Sequence, residues 1–126
     1  MPALERIGQI AVNVHDLPRA VTFYRDVLGL QHLFDAGPSL SFFDCNGVRL
    51  MLSKPERAEY DHPTSVLYYK VTNLETVHRD LAGKRVHFDG LPHKIASMPT
   101  YDLWMAFARD SEGNPFALME EKKKAS

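Results

Sequence analysis

Two short stretches late in the chain hold the side chains best suited to chemistry. His93 lies in Leu91-Pro92-His93-Lys94, and an imidazole can act as a general base near neutral pH. Tyr101 and Trp104 follow in Tyr101-Asp102-Leu103-Trp104. A phenol there can donate a proton, and an indole can stack on a flat ligand. The plainer alternative makes His93 a surface-loop histidine and Trp104 a core residue; both readings stay open. The other histidines offer less. His15 adjoins a helix cap, His62 lies in a polar stretch, His78 falls on a helix, and His32 and His87 fall in strands. No spacing joins them into a zinc-type cluster. Cys45, the single cysteine, precedes Asn46-Gly47 and reads as a turn residue without a neighbouring base. It excludes a disulfide within the chain and fits a reducing compartment. Glycine-rich phosphate loops are absent.

These residues need a scaffold, and the composition allows one. The chain has 126 residues, 44% hydrophobic and 25% charged, with a net charge of −1. A domain of this size buries about two-thirds of the surface that its unfolded chain exposes. Near-neutral charge argues against nucleic acid, which needs a concentrated basic face. Lys122-Lys123-Lys124, after Glu120-Glu121, reads as a solvated tail. The longest apolar run, Leu103 to Ala108, is too short to span a bilayer, and the N-terminus lacks the pattern of a signal peptide. The expectation is a cytoplasmic protein with neither membrane nor nucleic-acid partners.

One order of elements is written twice. Val14-His15-Asp16-Leu17 opens a helical stretch ending at Gly29, and Val71-Thr72-Asn73-Leu74 opens another ending at Gly83. Ile7 to Val14 alternates as a strand. Asp16 is a good N-cap, and Leu17, Ala20, Val21, Tyr24, Val27 and Leu28 recur at helical spacing. Strands are predicted over Gln31 to Asp35, Leu40 to Asp44 and Val48 to Leu52, with Asn46-Gly47 as a hairpin signal. Ser53 to Thr64 is polar, carries Pro55 and Pro63, and reads as a linker. The second half repeats the order: a strand over Val66 to Val71, a helix capped by Asn73, then strands over Val86 to Asp89, Tyr101 to Arg109 and Pro115 to Glu120. Asp110 to Asn114 is a turn with Gly113 available for positive φ. The expected fold is α+β: two tandem βαβββ modules, about 5–53 and 65–121 joined by 54–64, forming one domain with a curved mixed sheet around a cleft.

The run from Val14 to Leu30, VHDLPRAVTFYRDVLGL, resembles the opening motif of the vicinal oxygen chelate superfamily of glyoxalases, bleomycin-resistance proteins and extradiol dioxygenases. Phe107 to Asn114 resembles its closing strand and turn, with Ser111 where proline is usual. The resemblance covers nearly the whole chain. It implies a divalent metal held by four side chains, which map to Gln9, Met51, Val66 and Ala117; a register change would put Arg49 or Ser53 in place of Met51. An amide, a thioether and two hydrocarbon side chains do not suit a hard divalent ion. The expectation is therefore no metal and no cofactor.

Strand parity would instead turn Gln9, Ala11, Asn13, Val66, Tyr68, Lys70, Ala117 and Met119 toward the groove, a mostly apolar lining with a few hydrogen-bonding groups. The candidate ligand-binding set is Gln9, Asn13, Met51, Val66, Tyr68, His93, Trp104 and Ala117; the alternative is that they only pack. The resemblance implies a metal-free homodimer of the bleomycin-resistance type that binds a small, partly apolar molecule. Bleomycin itself is doubtful for want of an acidic field. The rival is a lyase, isomerase or dioxygenase, with a metal at other ligands or cofactor-free through His93 and Tyr101.

Overall fold

The computed structural model describes residues 3–125. It is an α+β fold of two compact units, residues 1–65 and 66–126, each built around its own mixed sheet and each a βαβββ module.

The first unit begins with β1 (Gln9–Asn13), then α1 (Leu17–Thr22), β2 (Gln31–Ala36), β3 (Leu40–Cys45) and β4 (Val48–Ser53). The sheet order is β1-β4-β3-β2, and β1 runs parallel to β4. Asp16 caps α1 by accepting from the Arg19 amide at 3.1 Å. The helix predicted to run evenly to Gly29 instead widens into a π segment, Phe23–Val27, in which the Leu28 amide donates to the Phe23 carbonyl at 2.9 Å. This widening seats Tyr24, only 2% exposed, against Phe43 of the sheet, with ring centroids 6.2 Å apart. Val12, Val14, Leu50, Leu52 and Phe43 are buried on the same side. Each large apolar side chain so buried contributes roughly 1.5–3 kcal/mol. Asn46 and Gly47 both take positive φ, 49° and 96°, as the tight β3–β4 turn requires.

The segment read as a linker is tied down. It carries a short 3₁₀ turn, Ala58–Tyr60, and Asn13 Nδ2 donates to the carbonyls of Tyr60 (3.0 Å) and His62 (2.6 Å). His15 adds a 2.8 Å contact to Asp61.

The second unit comprises β5 (Leu67–Lys70), α2 (Leu74–Gly83), β6 (His87–Phe88), β7 (His93–Ser97), β8 (Tyr101–Arg109) and β9 (Pro115–Lys123). The order is β5-β9-β8-β6, with β7 also paired to β8. Strands β6 and β7 pair with successive stretches of β8, so they act as one interrupted edge strand. Sequence periodicity missed β7, leaving 89–100 as a loop. Val66, the predicted start of this strand, falls just outside β5, one residue before its observed start. The predicted solvated tail is also corrected. Strand β9 runs to Lys123, and Lys122 reaches both carboxylate oxygens of Glu75 on α2 at 2.8 Å. Asn73 caps α2, and Glu120 of β9 accepts from the Asn73 and Leu74 amides at 3.1 and 2.8 Å. Leu74, Leu81, Val86, Phe116 and Leu118 form the core. Among the described residues no helix is long and apolar enough to cross a membrane.

Candidate functional site

Residues in register on paired strands share a face of the sheet. In the first unit, Ile10, Val12, Leu50 and Leu52 face the helix, so Gln9, Ala11, Asn13, Arg49, Met51 and Ser53 share the opposite, helix-free face. Phe42 joins them, because it pairs with Met51 across β3 and β4. Gln9 and Met51 do meet: Gln9 Nε2 lies 3.6 Å from the Met51 sulfur. Arg49, which pairs with Gln9 in register, donates from Nε to Gln9 Oε1 at 2.8 Å. Since a guanidinium has no acceptor, this contact fixes the amide with its oxygen toward Arg49. The guanidinium lies over the Phe42 ring, 5.5 Å from its centroid, and Phe42 stacks on Phe34 at 4.6 Å. The amide of Asn13 is engaged by the two carbonyls of residues 60 and 62, so it anchors that segment. A groove of about 270 Å³ beside Leu40, Ser53 and Tyr60 opens at this end of the sheet.

In the second unit the helix-free face carries Tyr68 and Lys70 from β5, Ala117 and Met119 from β9, Met105 and Phe107 from β8, and His93 from β7. Ala117 is fully buried, in register with Tyr68 on one side and Phe107 on the other. Its single methyl leaves room for the flanking rings to meet edge to face, centroids 6.3 Å apart. His93 lies beside the same Phe107 at 6.4 Å. His93 Nδ1 is 3.1 Å from the Leu91 carbonyl, which can only accept. The neutral ring therefore carries its proton on Nδ1 and presents a bare lone pair on Nε2. Half the Tyr68 side chain stays exposed, and Lys70 pairs with Glu121 at 3.3 Å. Val66, 41% exposed, precedes the strand.

Two sequence candidates stand apart from this group. Trp104 pairs with Glu120 and has the parity of Ala106 and Ala108, which puts it on the face that carries α2. Its ring lies beneath Lys122, 4.6 Å from Nζ. Tyr101 shares the face of His93, but His93 pairs with Met105, four residues further along β8. That is roughly 13 Å along the strand at ~3.3 Å per residue, too far for both to serve one reacting atom. Phe34, Phe42 and Phe107 enter the candidate faces without having been singled out by sequence, and Arg49, offered by sequence as a register alternative to Met51, lies on the same face as Met51.

A groove of about 400 Å³ between Leu17–Arg25 and Asp35–Pro38 lies on the other side of the first sheet. It is an open crease where the helix meets the β2–β3 turn, and none of the candidate residues reaches it. Beside it, Asp35 accepts from the buried Ser41 hydroxyl at 2.7 Å and contacts His32 at 2.8 Å. These contacts, Ser41 first, hold the Asp35 carboxyl below its usual range. Ser41 is fully buried, and one imidazole nitrogen faces both its partners, so the three do not form a relay to a substrate.

The donor set fits a divalent ion poorly. The Gln9 oxygen is taken by Arg49, whose positive charge beside it opposes a second cation, and Met51 offers a soft thioether. Val66 and Ala117 have no side-chain donor atoms. Among the described residues, no three His, Cys, Asp or Glu side chains gather in a way that could hold a metal.

Residues 6–118 match the family model of the Glyoxalase/Bleomycin resistance protein/Dioxygenase superfamily, and the chain belongs to that superfamily. Its fold is similar to that of a superfamily member from Sphaerobacter thermophilus, with a TM-score of 0.78 and 20% identity over 94% of this chain and 98% of that one. A lactoylglutathione lyase from Agrobacterium tumefaciens matches with a TM-score of 0.72 and 21% identity, over 94% and 96% of the two chains. A glyoxalase/bleomycin resistance protein/dioxygenase from Nocardioides matches with a TM-score of 0.73 and 19% identity, over 100% and 91%. At such identities the likeness is one of fold; chemistry must come from the residues.

Proposed function

We propose that this chain is a small-molecule-binding protein of the bleomycin-resistance type. It takes a small, partly apolar organic ligand on the helix-free sheet faces and does not rely on a divalent ion at Gln9, Met51, Val66 and Ala117. The observation that carries this reading is the engagement of Gln9 at both ends of its amide, by Arg49 and Met51. It is the one family-type ligand of the four positions, and its oxygen is already in use. On the second unit's face the rings of Tyr68 and Phe107 with Met105 and Met119, and on the first unit's face Phe34 with Met51, each supply the apolar contact that such ligands need. A homodimer belongs to the same proposal, and sedimentation of the purified protein tests it.

The second reading is an enzyme, a lyase, isomerase or dioxygenase of the same superfamily. What favours it is His93, whose Nδ1–H contact to Leu91 leaves Nε2 ready to accept a proton next to an aromatic face. Thermal-shift screening with aromatic and 2-oxo compounds, followed by turnover assays on each hit, separates the two. Hits that stabilise the protein and are recovered unchanged support the binding protein. Turnover that is lost in His93→Gln supports the enzyme.

A further inference from the structure

We infer that Arg49 forms an anion-recognition site on the helix-free face of the first sheet, and that the ligand is an aromatic carboxylate whose ring lies on Phe34. The inference rests on the small-molecule reading above and names the ligand's class. Arg49 is an exposed cation with no carboxylate partner among the described residues. The nearest acid in register is Asp44, directly across from it on β3, but the Asp44 carboxylate caps the β3–β4 turn at the Gly47 amide, 3.1 Å away. The guanidinium is nevertheless not a loose surface group. Its Nε is fixed on Gln9, and its central carbon lies over the Phe42 ring. Both terminal nitrogens are left for a partner, and together they form the fork that a carboxylate accepts in bidentate fashion.

Two neighbours complete the site. Among the described residues Gln9 Nε2 has only a thioether at 3.6 Å, a weak acceptor, so it retains donor capacity next to the fork. Phe34 stacks on Phe42 and is 47% exposed, offering a half-exposed ring on the same sheet face, one strand beyond the Phe42 ring that the guanidinium covers. A cation, an amide donor and an exposed aromatic ring match an aromatic acid. An exposed ion pair alone binds weakly in water, so the ring and the fork must act together.

The test uses benzoate and its neutral isostere benzamide, titrated by calorimetry or NMR into the whole protein and into Arg49→Gln and Arg49→Lys. The expected result is a preference for benzoate of about tenfold, the usual worth of a charge-assisted pair. Arg49→Gln removes that preference, Arg49→Lys keeps part of it, and both variants stay folded, with the thermal midpoint lowered by no more than a few degrees for the lost contacts to Gln9 and Phe42. No preference in the parent protein, no binding of benzoate, or a preference that survives Arg49→Gln overturns the anion site. If benzamide or other neutral aromatics still bind in that case, the small-molecule reading stands alone. If no organic compound of either charge binds, both fall.

Discussion

Gln9 and Arg49 lie side by side in register on parallel strands and share a 2.8 Å hydrogen bond. The position that a metal-binding relative would give to a ligand therefore touches a fixed positive charge. A better ligand at position 9 alone should not restore metal binding. In Gln9→Glu the new carboxylate should pair with Arg49, changing stability by about 0–1 kcal/mol as exposed ion pairs do. Zinc and nickel titrations should show no stoichiometric site. Tight binding of either ion by this single variant contradicts the account of the site.

Trp104 is on the helix-bearing face under Lys122, which also holds Glu75. Trp104→Ala should cost about 2 kcal/mol, less than the roughly 3–5 kcal/mol of a fully buried tryptophan. Affinity for any aromatic ligand should not change. Urea denaturation and a ligand titration read both effects; a large loss of affinity at full stability returns Trp104 to the binding site.

The Asp35 carboxyl is held below its usual range by Ser41 first and His32 second. Because the folded value is depressed, this carboxylate contributes stability above its unfolded value, and the contribution is lost as pH falls through the folded value. Ser41→Ala removes the larger cause at a buried hydroxyl, costing about 1–2 kcal/mol at neutral pH. The deficit should shrink near pH 3, where Asp35 protonates in the variant before the parent. Equal deficits in urea at pH 7 and pH 3 refute this coupling.

Asn13 holds residues 60 and 62 by two hydrogen bonds. Asn13→Ala should release the 54–64 segment, raising hydrogen exchange and proteolytic cleavage there several-fold while the sheet stays protected. Unchanged cleavage would mean that other contacts, such as His15 with Asp61, suffice to hold it.

Local signals were legible in the sequence, and long-range ones were not. Asn73 and Gly83 bracket α2, Tyr101 and Arg109 bracket β8, and Asn46-Gly47 marks its hairpin, because caps and turns depend on neighbours in sequence. Strand β7 escaped because Leu91-Pro92 and His93-Lys94 break the apolar alternation; pairing with β8 makes the strand. Lys122 read as solvated because a charge on a strand shows its value only when Glu75 and Trp104 are seen beside it. The candidate site divides in the same way. Gln9 and Met51, grouped by motif, lie in contact, whereas Arg49 meets Gln9 through a parallel register between segments forty residues apart in sequence. His93 and Tyr101, close in the sequence, are held apart by the strand that links them.

The most direct test of the central claim is elemental analysis of untagged protein purified without chelators and then dialysed. The account predicts zinc, nickel, iron and manganese all far below one ion per chain, in protein that still gives a saturable thermal shift with an aromatic ligand. One transition ion retained per chain, and lost on Gln9→Ala, contradicts it.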